Sequence, residues 1–179
     1  MHINVSAKWI PRNLLTEVDA LSRRIDYDDW ETTPSFFDFV QQTWGTFTVD
    51  CFADSLNAKT SRFYSKYLCP RTSGVNAFLY PWAEGLHYLV PPVYLAGKTI
   101  KHLAYYKGTG VLIVPYWVSA TFWIYLRKSN DTFHSFVKDY VLVDASSQCV
   151  IQGRNPQCFI GSTKFKSSIL ALYLDFGQF

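Results

Sequence analysis

The residues best placed to do chemistry are Pro91 and Pro92, which end the short apolar run His87-Tyr88-Leu89-Val90. Val93, Ala96, Ile100, Leu103 and Ala104 then recur at helical spacing, with Lys98, Lys101 and His102 on other faces. Proline is tolerated in a helix's first turn because its missing N–H would be unpaired there anyway. The pair therefore marks a strand handing over to a helix. In open α/β sheets the carboxyl end of such a strand is where ligands bind. The plain alternative is that Pro-Pro only punctuates the turn. Asp50 stands near the end of a second apolar run, Phe47 to Phe52, where a carboxylate can also serve simply to close a loop. Beyond it, Lys59, Arg62, Lys66 and Arg71 are interleaved with Phe63, Tyr64 and Tyr67. Basic and aromatic side chains together suit a phosphate backbone or a single strand. An ordinary solvated face is the simpler account of the same residues.

These positions need strands and helices to hold them. Ile3 to Ile10 reads as a strand ended by Pro11, and Asn13 caps a helix carrying Leu14, Leu15, Val18 and Leu21. The acidic stretch Asp26 to Glu31 reads as a joint, so residues 1–25 form one piece, 26–33 a linker and 34–179 the main domain. Thr33-Pro34 opens a helix with Phe36, Phe37, Phe39, Val40 and Trp44, and Gly45 stops it. Val111 to Val114 is a continuous apolar run ending at Pro115, the pattern of a central strand buried on both faces. Ser119 to Lys128 reads as a helix. Tyr140 to Val143 and Cys149 to Ile151 read as short strands, and Ser168 to Phe176 as the last one. The alternation of strands and helices from Pro34 onward gives an α/β domain.

Composition narrows the classes. The chain has 179 residues, of which 49% are hydrophobic and 17% charged, so a folded core is expected rather than disorder. Aromatics reach 18%, which serves either a dense core or stacking surfaces. A net charge of +3 permits nucleic-acid contact without demanding it. No apolar run is long enough to span a bilayer, and no basic start with an apolar core marks a secretory signal. Cys51, Cys69, Cys149 and Cys158 form no Cys-x-x-Cys pair, and His2, His87, His102 and His134 are equally scattered. No metal site is expected, and reduced thiols in an intracellular protein are.

Two resemblances add to this reading. Trp9-Ile10-Pro11-Arg12-Asn13, followed by Glu17-Val18-Asp19-Ala20-Leu21-Ser22-Arg23, resembles the C-terminal end of the RNase H domain of retroelement polyproteins. Asp19 falls on that family's last metal-binding carboxylate, but two-metal chemistry needs several carboxylates converging on both ions. A remnant of this kind would leave Asp19 catalytically orphaned, and a surface Asp on a helix is the other account. Phe47-Thr48-Val49-Asp50-Cys51-Phe52-Ala53, then Asn57-Ala58-Lys59 and Arg62-Phe63-Tyr64, resembles the phage-type (Dam) DNA N6-adenine methyltransferases. Trp82, Pro91-Pro92, Val111 to Pro115, Trp117, Gly153-Arg154 and Ile169 to Phe176 follow in that family's order. An RNase H tail ahead of a Dam-like domain is similar to the arrangement in DIRS-like retroelements.

The resemblance implies a Rossmann-like, methyltransferase-type sheet with flanking helices, preceded by a short strand–helix remnant. It implies S-adenosylmethionine held near Asp50, Phe52 and Ala53, and nucleic acid near Asn57, Lys59, Arg62 and Phe63. It also implies a target base flipped out beside Pro91 and Pro92. In the family an Asn or Asp precedes the two prolines to grip the adenine amine, and an aromatic ring follows to stack on the base. Val90 and Val93 stand there, and valine neither accepts a hydrogen bond nor offers a π face. Losing such a preorganised polar contact costs about 10²–10³ in rate. The loop after Asp50, Asp54-Ser55-Leu56, also lacks the glycines a cofactor's close approach needs. The expectation is a retroelement-derived domain that has lost methyl transfer, and with it S-adenosylmethionine. It would be associated with DNA or RNA and with the other domains of its parent polyprotein. The alternatives are an active DNA N6-adenine methyltransferase and a protein-interaction module.

Overall fold

Thr33 and Pro34 start the first helix in the way their types dictate. The computed structural model describes residues 30–128, 132–144 and 148–177, so the segment carrying Asp19 lies outside the described residues. Helix α1, Pro34–Trp44, begins with Pro34 in its first turn, and the Thr33 hydroxyl accepts from the Phe36 N–H at 3.3 Å. It ends at Gly45, whose φ of 109° lies in the region open to glycine. Its buried face is Phe36, Phe37 and Val40.

Nine strands accompany the helices among the described residues. They are β1 (Trp30–Thr32), β2 (Val49–Asp50), β3 (Tyr64–Ser65), β4 (Gly74–Val75), β5 (Leu86–Leu89), β6 (Thr109–Pro115), β7 (Val137–Val143), β8 (Val150–Gln152) and β9 (Ile169–Asp175). Five form the central sheet, in the order β2-β5-β6-β9-β7. The first three run parallel, and β9 is antiparallel to both β6 and β7. The chain is therefore mixed α/β. Separate two-stranded sheets join β1 to β8 and β3 to β4.

Between β5 and β6 the chain makes a 3₁₀ turn, Val93–Leu95, and then helix α2, Ala96–Tyr105. A parallel pair needs such a crossover. Successive residues of a strand point to opposite faces, and the sheet uses both. On one face Leu89, Leu112, Val114 and Leu172 pack with Ile100 and Leu103 of α2. On the other, Tyr88, Val90, Val111 and Ile113 pack with Phe36, Phe37 and Val40 of α1. Val111 to Val114 are each fully buried, as the unbroken apolar run requires.

Several boundaries differ from the expectation. The helix expected over Ser119 to Lys128 is one turn, α3 (Trp123–Leu126), because Arg127 turns extended and bridges Phe133 while Lys128 donates to the Thr132 carbonyl. The strand expected over Phe47 to Phe52 shortens to β2, because the chain past Asp50 turns back to pair with Tyr64 and Tyr88. Trp30–Thr32, placed in the linker by composition, pairs in register with Val150–Gln152, and Trp30 and Thr32 are buried.

Candidate functional site

The carboxyl ends of β2 and β5 lie side by side, with Asp50 opposite Tyr88 in register. This is where an open α/β sheet would take a ligand. Asp50 is 3% exposed, and both its oxygens are in use. Oδ1 accepts from the Phe52 N–H at 3.3 Å and Oδ2 from the Lys59 N–H at 3.1 Å. The intervening loop is closed again by its own side chains. The Asn57 side-chain oxygen accepts from the Asp54 N–H at 2.7 Å, and the Asp54 carboxylate from the Leu56 N–H at 2.8 Å. These are the local side-chain-to-backbone bonds that Asp and Asn favour in turns. Arg154, of the late Gly-Arg, pairs with the other oxygen of Asp54.

Burial raises the Asp50 carboxyl from 3.8 to about 6, against the lowering effect of its two N–H donors and of the Lys59 charge. Burial, with the Asp50 charge second, pushes the neighbouring Cys51 thiol up. The outer wall is β1. Glu31 accepts from the Lys59 ammonium at 2.7 Å, and the Thr32 hydroxyl meets the Tyr88 hydroxyl at 2.5 Å. Burial raises the Tyr88 hydroxyl's pKa, so it is neutral at any ordinary pH.

The space enclosed by Glu31, Thr32, Asp50, Ala53, Lys59 and Val90 is about 10 Å³. That is roughly the room of a single water. The indole N–H of Trp30, which borders it, has no protein acceptor. The crevice is narrow, Asp50 has both oxygens on backbone N–H groups, and Glu31 and Lys59 neutralise each other at its opening.

The residues at the two prolines are packing residues. Val90 is buried among Trp30, Phe36, Phe37 and Tyr88, and Val93 is half-buried against both cores. Pro91 is buried, and the Pro92 carbonyl accepts from the Leu95 N–H at 2.8 Å, which opens the 3₁₀ turn. Phe52 and Ala53, which the resemblance sets beside the cofactor, border the crevice with Asp50. Of the residues expected at nucleic acid, Asn57 and Lys59 reach the same place, but each is held within the chain. Phe63 is 2% exposed and is a core ring rather than a stacking surface. Arg62 is exposed, with its guanidinium donating to the Tyr64 hydroxyl at 2.8 Å. Sequence reasoning missed Trp30, Glu31 and Thr32. Their alternation of apolar, charged and small polar side chains is the only signal a three-residue strand can give.

Among the described residues no group of three or more His, Cys, Asp or Glu could hold a metal ion, and no helix is long and apolar enough to cross a membrane. The chain matches no protein-family model and no curated protein.

Proposed function

We propose that this chain is a retroelement-derived domain of DIRS-like origin, in which a fold related to DNA adenine methyltransferases has lost methyl transfer and serves a nucleic-acid-associated role inside the cell. The observation that carries the loss is the packing of Val90. The position that must present an oxygen to an adenine amine is an aliphatic side chain buried in the core, beside a crevice with room for one water. The strand order supports the ancestry. Three parallel strands with a helical crossover form half of a doubly wound sheet. Strand β9, antiparallel and wedged between β6 and β7, departs from that plan. Among the described residues no disulfide joins the four cysteines, in keeping with a reducing compartment.

The test is direct. The purified chain is incubated with S-adenosylmethionine carrying a labelled methyl group and with adenine-containing DNA, double- and single-stranded. The expected result is no label in DNA, no saturable binding of the cofactor, and salt-dependent retention of DNA. Label recovered in N6-methyladenine would overturn the loss of activity. Absence of any DNA binding at low salt would overturn the nucleic-acid role.

A further inference from the structure

The charge of this chain is segregated. From Ser55 to Lys128 there are nine lysines and arginines and a single carboxylate, Glu84, a balance of +8 that leaves −5 for the rest of a chain totalling +3. Within that basic stretch, Tyr94, Lys98, Lys101 and Tyr105 follow one another at spacings of four, three and four residues, which is one stripe of a helix. All four are exposed, Tyr94 by 63% and Tyr105 by 79%. The two ammonium groups sit over aromatic rings instead of beside carboxylates. Lys98 Nζ is 4.1 Å from the ring centre of Phe78, and Lys101 Nζ is 4.5 Å from that of Tyr125. Among the described residues neither makes a salt bridge.

From this stripe we infer that the outward face of α2 and of the 3₁₀ turn leading into it is a docking surface for single-stranded DNA, with Lys98 and Lys101 on the phosphates and Tyr94 and Tyr105 stacking on unpaired bases. The inference rests on the nucleic-acid role proposed above and moves its site away from Asn57, Lys59 and Phe63. The stripe spans about 16 Å at 1.5 Å per residue. Two rings flank two positive charges that are held in place by cation–π contact, at modest entropic cost for ordering. A single strand offers the matching sequence of charge and open π faces, whereas a duplex keeps its bases stacked out of reach. An anionic bilayer is a poorer match. The apolar residues of α2, Ala96, Ile100 and Leu103, are buried in the core, so the helix has no aliphatic face to insert.

The test measures binding of a fluorescent twenty-residue oligo-dT to the full chain by anisotropy across salt. Lys98→Gln/Lys101→Gln should lower the slope of log K against log salt by about 1.4, since each phosphate contact on a single strand contributes about 0.7. Tyr94→Ala and Tyr105→Ala should each weaken binding by about fivefold or more at constant slope. All four side chains are exposed, and unchanged thermal melting would show that the variants are folded. Wild-type slope in the double lysine variant would overturn this site while leaving the nucleic-acid role standing. So would duplex binding as tight as oligo-dT, or displacement of oligo-dT by phosphatidylserine vesicles. No binding of oligo-dT by the wild-type chain would overturn this site, and no binding of either oligo-dT or duplex at low salt would sink the nucleic-acid role as well.

Discussion

The bond between Thr32 and Tyr88 joins β1 to the end of β5 and so fixes the outer wall of the crevice, which makes it the contact to break. Both residues are 1% exposed, and their hydroxyls are 2.5 Å apart. Tyr88→Phe leaves the ring in place between Phe37 and Phe47, whose centroids lie 5.1 and 4.9 Å away. It strands the Thr32 hydroxyl in the core, at a cost of roughly 1–3 kcal/mol for an unsatisfied buried polar group. Thr32→Val strands the Tyr88 hydroxyl and should cost a similar amount. The double variant removes both polar groups and keeps both shapes, so it should lie near wild type. The two losses should therefore fail to add by about the sum of the two single losses, roughly 2–6 kcal/mol. With a urea slope of roughly 1–3 kcal/mol per molar, each single variant should lower the unfolding midpoint by about 1 M, and the double should recover most of it. Additive losses would mean that β1 is not seated on Tyr88, and the account of a filled crevice would go with it.

Asp50 gives a pH signature. Its folded-state pKa is raised from 3.8 to about 6 by burial, so between those values the folded chain keeps a proton that the unfolded chain has released. Stability from this group is therefore full below about pH 4 and falls as pH rises towards 6, by roughly 3 kcal/mol in all. Urea midpoints taken from pH 4 to 7 should show that fall in the wild type and lose it in Asp50→Asn; equal slopes in both would contradict the assignment. Gly161 holds the segment after β8 against that strand, with a φ of 78° and a hypothetical Cβ 2.2 Å from the Gln152 backbone nitrogen. Gly161→Ala should cost at least about 1–3 kcal/mol in the same assay, and an unchanged midpoint would contradict the close approach.

What could be read from the sequence was whatever the local chain decides for itself. Thr33, Pro34 and Gly45 fix the ends of α1 by capping chemistry that needs no distant partner. Val111 to Val114 can only be a buried strand, because no face of it tolerates water. Pro91 and Pro92 break β5 at the residue their backbone constraints require. What could not be read depends on contacts made across the fold. Phe63 looks like any ring in a basic stretch until the pairing of Asp50 with Phe63 draws it into the core. Lys59 looks like a free cation until Glu31, 28 residues away, meets it at 2.7 Å. Of the two meanings open to Asp50, the loop clasp is the one its hydrogen bonds express.

The same physics explains how the ends of β2 and β5 hold together without a ligand. A ligand crevice is a stabilising liability, because polar groups must stay unpaired and apolar walls stay wet until the ligand comes. The side chains at this crevice avoid that penalty. Val90 is aliphatic and buried, and burying such a side chain contributes about 1.5–3 kcal/mol where an unpaired polar group would cost a similar amount. Asp50, the one buried carboxylate among the described residues, has its oxygens paired to two backbone N–H groups. Glu31 and Lys59 cancel each other at the rim. The structure has closed inward at the carboxyl ends of β2 and β5, while Lys98 and Lys101 stand uncompensated on the outside of α2. Unpaired charge persists where water or a partner can solvate it, which is why the proposed docking surface lies on α2 and not at the crevice.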